Sequence, residues 1–163
     1  MAQLNRFQRY INDVIPLTQS MALRLEDYNG RRLAISAPLE PNHNHQNTAF
    51  GGSLYAASVV SAWGLVELVL RDAGLIGNVV VQHGEMEYLE PVNDDFYAVC
   101  DLPDDGTMVR FHKSLARYGK ARLNLHASIF TGPVSLTPTG SALAVFSGRF
   151  VVQDARTKVR SPF

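Results

Sequence analysis

The chain has 163 residues and a mass of 18.0 kDa, the size of one domain rather than two. Fifteen basic residues balance fifteen acidic ones, so the net charge is zero, which excludes the strong field of a general nucleic-acid binder or a membrane-surface protein. The single cysteine, Cys100, excludes an intramolecular disulfide framework, and 46% hydrophobic content excludes a disordered chain.

No apolar leader follows the first residues, so a cytoplasmic protein without membrane association is expected. Leu4, Phe7, Ile11, Val14 and Ile15 recur at spacings of three and four, predicting a short amphipathic helix stopped by Pro16. Residues 21–26 and 32–37 alternate apolar and polar, and Asn29-Gly30 between them signals a hairpin. A loop rich in Pro and Asn runs from Pro38 to about Asn47.

From residue 51 to 70 the only charged side chain is Glu67, and Gly74 supplies a stop, which predicts one long helix. Its length approaches that of a membrane span. Ser53, Ser58, Ser61 and Gly64 dilute the run, however, and strand-like segments flank it, so burial in a protein core is the expectation. Glu67 then needs a partner, either on a strand or at an exposed helix end. Further strands are predicted at 78–89, 96–102, 121–131 and 141–152, with a short helix within 105–119. The sum is an α+β chain, a single domain over 1–163, in which a mostly antiparallel sheet packs on a central helix.

The stretch Asn44-His45-Gln46-Asn47-Thr48-Ala49-Phe50-Gly51-Gly52-Ser53-Leu54-Tyr55 resembles the signature of hotdog-fold thioesterases, where an Asn and a His-Gly-Gly turn precede the central helix. The closest likeness is to the thioesterase family forming the carboxy-terminal half of YiiD-type acetyltransferases. It extends through Ala62-Trp63-Gly64-Leu65, Glu87-Tyr88-Leu89-Glu90-Pro91-Val92 and Tyr118-Gly119-Lys120-Ala121-Arg122, over roughly residues 20–152. The acetyltransferase half of such relatives is not expected here. The resemblance implies the hotdog fold, a sheet wrapped around one long helix, and acyl-thioester hydrolysis. It also implies a homodimer or dimer of dimers with clefts lined by both subunits. No prosthetic group is implied; coenzyme A or phosphopantetheine would enter as part of the substrate.

Residue by residue, the likeness assigns Gly51 and Gly52 to polarising the thioester carbonyl. Backbone N–H groups of a first helical turn lack acceptors and carry the positive end of the helix dipole, and glycine lets a carbonyl approach. The same pair would equally permit a tight loop-to-helix turn. Asn44 stands where relatives hold the attacking water, or it caps its own turn. Thr48, Phe50, Tyr55 and the small Ala56 and Ala57 are candidates to line the acyl site.

Two departures stand out. Phe50 replaces the usual His, and Val59 stands where many hotdog thioesterases carry a carboxylate. A valine cannot move a proton. Strand alternation would place Val81, His83, Glu85 and Glu87 on one face. Some relatives carry a functional Ser near Val81, so the resemblance implies that His83 and Glu85 point toward the cleft and makes His83 the candidate base, unless a bulge at Gly84 reverses the parity. His83 could also be a dimer-interface residue.

On the predicted helix after Pro103, Arg110, Lys113 and Arg117 form a basic stripe opposite Met108, Phe111, Leu115 and Tyr118. That stripe could hold coenzyme A phosphates, meet an acidic carrier protein, or simply face solvent. His43 and His45 lack a third ligand at useful spacing, so no metal is expected. His126 and Cys100 read as a satisfied sheet histidine and a small core residue. The rival to hydrolysis is a non-catalytic acyl-CoA or acyl-carrier binding module, motivated by Val59. A dehydratase would need a His-Phe-Pro type loop and a helix carboxylate, which this chain lacks.

Overall fold

The computed structural model describes residues 2–157. Its core is one 22-residue helix, α3 (Gly51–Asp72), against a six-stranded sheet. The strands are β1 (Arg24–Tyr28), β2 (Arg32–Ala37), β3 (Gly77–Tyr88), β4 (Phe96–Asp101), β5 (Lys120–Thr131) and β6 (Ala144–Asp154). Every neighbouring pair is antiparallel, in the order β1-β2-β4-β5-β6-β3. The chain leaves β2, crosses one face of the sheet as α3, and returns as β3 at the far edge. This is the expected hotdog arrangement.

α3 is long and apolar enough to cross a membrane, but Leu65, Leu68 and Leu70 are fully or almost fully buried against the sheet. Each such leucine contributes about 1.5–3 kcal/mol of apolar burial. The helix is therefore the domain's core helix. Trp63 ties it to the far edge by donating Nε1–H to the Val79 carbonyl at 3.1 Å. Cys100, also fully buried, packs in the same core, and burial beside the Asp101 charge pushes its thiol up.

Helix α1 (Ala2–Val14) docks on the C-terminal half of α3 through buried Phe7 and Ile11, with Phe7 stacked on Trp63. Val14 stays exposed. Pro16 does not only stop α1; it caps a second helical turn, α2 (Leu17–Ser20), which displaces the start of β1 from residue 21 to Arg24. Proline's fixed φ suits the start of a helix as well as its end. Asn29 forms the hairpin as expected: its Oδ1 accepts from the Arg31 and Arg32 N–H groups, and Gly30 sits at φ +88°.

Glu67 is buried, and among the described residues its ion pair is not with a strand. Arg71, one turn on in the same helix, lies 3.6 Å away and also covers the rings of Phe7 and Tyr10. Burial still holds the Glu67 carboxyl above its ordinary range, against the opposing pull of Arg71. Asp72 fastens three elements, accepting from Tyr28 Oη at 2.6 Å and Gln3 Nε2 at 2.7 Å.

α4 (Asp105–Tyr118) is capped by Asp104, whose side chain accepts from Thr107 N–H, and ends at Gly119 in the left-handed region. Met108, Phe111 and Leu115 anchor it, but Tyr118 is 67% exposed instead of joining them. Tyr118 is the last residue of the helix, and its ring lies under the Arg117 guanidinium.

Candidate active site

The loop before α3 is built from backbone exchanges with distant segments. Phe50 N–H donates to the Asn42 carbonyl at 2.7 Å, and Ala49 N–H donates to the Val92 carbonyl at 2.8 Å. Phe50 occupies the N-cap position but offers no side-chain acceptor. The Ser53 and Leu54 N–H groups turn back to the Phe50 carbonyl. Gly51 and Gly52, the first two helical residues, lie ahead of the first intrahelical donors, so their N–H groups point off the helix end.

These N–H groups border an open pocket of about 470 Å³. Its wall comprises Gln46, Thr48, Ala49, Gly51, Gly52 and Leu54 on one side, and residues 88–92 on the other. The Tyr88 hydroxyl donates to the Gly51 carbonyl at 2.9 Å and bridges the two walls. Burial, with a smaller contribution from Tyr55, raises the Tyr88 phenol above its ordinary range, so it stays protonated and donating at neutral pH. A larger groove, about 560 Å³, opens on the opposite face of the sheet beside Arg32, His126 and Leu136.

Of the residues singled out from sequence, the structure gathers Thr48, Gly51 and Gly52 around the pocket. The glycines are constrained by neighbours within the chain. A Cβ at Gly51 would meet the Tyr88 ring at 3.3 Å, and at Gly52 it would overlap the Phe50 ring. Phe50 thus covers Gly52 from outside and does not line the pocket. Tyr55 lies elsewhere too, edge-on to Phe146 with its hydroxyl against Gly84.

Asn44 spends its amide on its own loop. Its Oδ1 accepts from Gln46 and Thr48 N–H, and its Nδ2 donates to Thr48 Oγ1 at 2.8 Å. That is the turn-capping alternative, and Thr48, not Asn44, lines the pocket. His43 Nδ1 contacts the adjacent Asn44 carbonyl, and no cluster of three His, Cys, Asp or Glu side chains able to hold a metal forms among the described residues.

The expected alternation along β3 fails at a bulge. Val81 pairs with Phe150 and His83 with Arg149, leaving Gln82 as the extra residue. Val79 and Val81 therefore share the α3 face with buried Val152 and Phe150. His83, Glu85 and Glu87 share the outer face with Arg149, Ser147 and Val145. This corrects the placement of His83 and Glu85 toward the cleft. Gly84 is not the bulge; it is glycine because the Tyr55 hydroxyl and Phe146 ring fill the space of its side chain. Val59 is half-buried against the core, with Ser61 bonded to the Leu33 carbonyl, so this part of α3 offers the pocket no acid.

The basic stripe lies at the other end of the subunit. Strand register sets Tyr88, Ala144 and Ile129 at the pocket end, and Gly77, Asp154 and Lys120 at the end where α4 closes on Gly119. Arg110, Lys113 and Arg117 are solvent-exposed there, Arg110 bonded to Thr107 and Arg117 over the Tyr118 ring. The pocket also holds Tyr88 and Glu90, polar residues to which the sequence alone assigns no role. Their signal in the sequence is the motif Glu87-Tyr88-Leu89-Glu90-Pro91-Val92, which by itself carries only the family likeness.

The family described as "Putative thioesterase (yiiD_Cterm)" matches residues 4–154. Among solved structures, a Chlorobaculum tepidum protein of unknown function is 36% identical, with 92% of this chain and 93% of that one covered and a TM-score of 0.86. A "putative thioesterase" from Shewanella oneidensis is 28% identical, covering 93% and 98%, with a TM-score of 0.78. A Haemophilus influenzae thioesterase shares the fold at 12% identity, covering 96% and 94%, with a TM-score of 0.72. With the hotdog architecture and the glycine-opened central helix in place, the chain belongs to the family described as "Putative thioesterase (yiiD_Cterm)".

Proposed function

We propose that this protein is a soluble, cytoplasmic acyl-thioester hydrolase acting on acyl-CoA or acyl-carrier-protein substrates. The observation that carries the reading is the Gly51 and Gly52 pair, whose N–H groups have no acceptor among the described residues, bordering the pocket that Tyr88 bridges. A thioester oxygen gains negative charge as water attacks its carbonyl carbon. Fixed N–H donors at a helix N-terminus stabilise that charge more than they stabilise the ground state. Coenzyme A or phosphopantetheine belongs to the substrate, and the chemistry requires no separate prosthetic group.

The active unit is a homodimer in this proposal. The two sheet edges differ sharply. β1 is five residues long, carries Arg24, Glu26 and Asp27, and is bulged between Leu25 and Asp27. β3 is twelve residues long and exposes Val80 and Val81. β3 is also bulged, at Gln82, and carries Glu85 and Glu87, but it offers the longer run of unpaired backbone groups. Antiparallel pairing of two β3 strands would set each pocket beside the partner's α4 end. Arg110, Lys113 and Arg117 would then approach the phosphates of a bound coenzyme A across the interface.

A second reading, binding without turnover, is favoured by Val59, which leaves the early turns of α3 without a carboxylate. Thiol release from a panel of acyl-CoAs separates the two. Turnover well above the buffer rate supports hydrolysis; tight binding by calorimetry with no thiol release supports the binding module.

A further inference from the structure

We infer that Glu90 is the general base of this site, an inference that rests on the hydrolase reading. Two anchors clamp the segment carrying Glu90 against the start of α3. Tyr88 Oη holds the Gly51 carbonyl at 2.9 Å, and the Val92 carbonyl holds Ala49 N–H at 2.8 Å. Glu90 lies midway between these anchors, and its own N–H is fixed to the Leu143 carbonyl at 3.0 Å. The pocket bordered by the Gly51 and Gly52 amides is thus also bordered by Glu90, the only carboxylate among its lining residues.

The other candidates fall away on geometry. His83, Glu85 and Glu87 lie across the sheet on the outer face. The Asn44 amide is committed within its loop, and the Tyr88 hydroxyl to Gly51. Glu90 is exposed, so water reaches its carboxylate freely.

In the hydrolytic step the carboxylate of Glu90 takes a proton from water as the water oxygen bonds to the carbonyl carbon. The carbonyl electron pair moves onto oxygen, facing the Gly51 and Gly52 N–H groups. When the tetrahedral intermediate collapses, the C–S bond breaks. The departing sulfur takes the proton back from Glu90, leaving a free carboxylic acid and a thiol. Atoms and charge balance with water as the sole co-reactant.

The test is the pH dependence of acyl-CoA hydrolysis over about pH 4–9 for wild type, Glu90→Gln, Glu90→Asp and Glu87→Gln. Glu90→Gln should lose about 10²–10⁴-fold in kcat with KM little changed, and its acid limb should vanish. Glu90→Asp should keep the acid limb at a reduced rate, which separates proton transfer from a structural role. Glu87→Gln, on the outer face, should match wild type. An active wild type beside a Glu90→Gln enzyme with the same acid limb and a rate within a few-fold overturns the assignment alone. A wild type that hydrolyses no acyl-CoA overturns the hydrolase reading and the base together.

Discussion

Tyr88 reaches from the end of β3 to donate its hydroxyl to the Gly51 carbonyl, joining the last residue of the edge strand to the first of the core helix. The hydrogen bond spans 37 residues of sequence and forms the bridge of the candidate pocket. Tyr88→Phe keeps the ring that packs on Gly51 but removes the bond. Because Tyr88 is 54% exposed, the stability cost should fall at the low end of about 0.5–1.5 kcal/mol. The effect on turnover should exceed the effect on stability, since the bond sets the spacing of the two pocket walls. Urea titration beside steady-state kinetics checks this, and a variant with unchanged kcat would show that the spacing does not depend on the bond.

Glu67→Gln tests the buried ion pair. A carboxyl whose folded pKa is raised favours its protonated form in the fold. Its contribution is complete below the unfolded range near pH 4.3 and lost as pH rises through the folded value. At neutral pH the neutral amide should therefore equal or exceed wild-type stability, and the difference should shrink on acidification toward about pH 4. Denaturant midpoints at the two pH values give the sign directly. A glutamine variant markedly weaker at neutral pH would mean that the Arg71 attraction outweighs burial.

The Tyr28–Asp72 bond should give an alkaline signature. Burial, then the hydrogen bond to Asp72 and its charge, raise the Tyr28 phenol well above its ordinary range. Its contribution is complete below the unfolded tyrosine value of about 10 and lost as pH rises through the folded value. Wild type should thus be more stable than Tyr28→Phe near pH 8, with the gap closing above about pH 10. Parallel urea titrations along the pH series measure that gap; one that stays constant would assign the stability difference to packing.

Dimerisation through β3 should respond to its exposed valines. Val80→Lys combined with Val81→Lys places two charges on the β3 edge, and both side chains are more than 40% exposed within one subunit. Light scattering should read twice 18.0 kDa for wild type and 18.0 kDa for the variant, with the circular dichroism of the fold retained. Wild type at monomer mass independent of concentration would refute the paired edge.

Much of this architecture is legible in sequence because it is periodic. The apolar run of α3 with its Gly74 stop, the alternation of β2, and the apolar face of α4 are local patterns that each mark their element. What was not legible depends on contacts between remote segments. The bulge at Gln82 has no glycine or proline to mark it, while Gly84 draws attention as a bulge signal yet exists to admit Tyr55. That one residue moves His83 from the expected cleft to the outer face. Glu90 was equally hidden, because its place is fixed by pairing of 49–51 with 88–92. The Glu67–Arg71 pair, by contrast, stands at a helical spacing of four and is legible in the sequence without any strand partner.

Cys100 gives the molecule a reporter of its own opening. The sole thiol lies fully buried among core side chains and is held in its unreactive protonated form. A small alkylating reagent can reach it only when β4 parts from α3 or the core opens more widely. The labelling rate therefore counts excursions from the closed state, against a background of no other cysteine. Any acyl ligand that binds the closed state in preference to the open one must slow that count, whether or not it is ever hydrolysed.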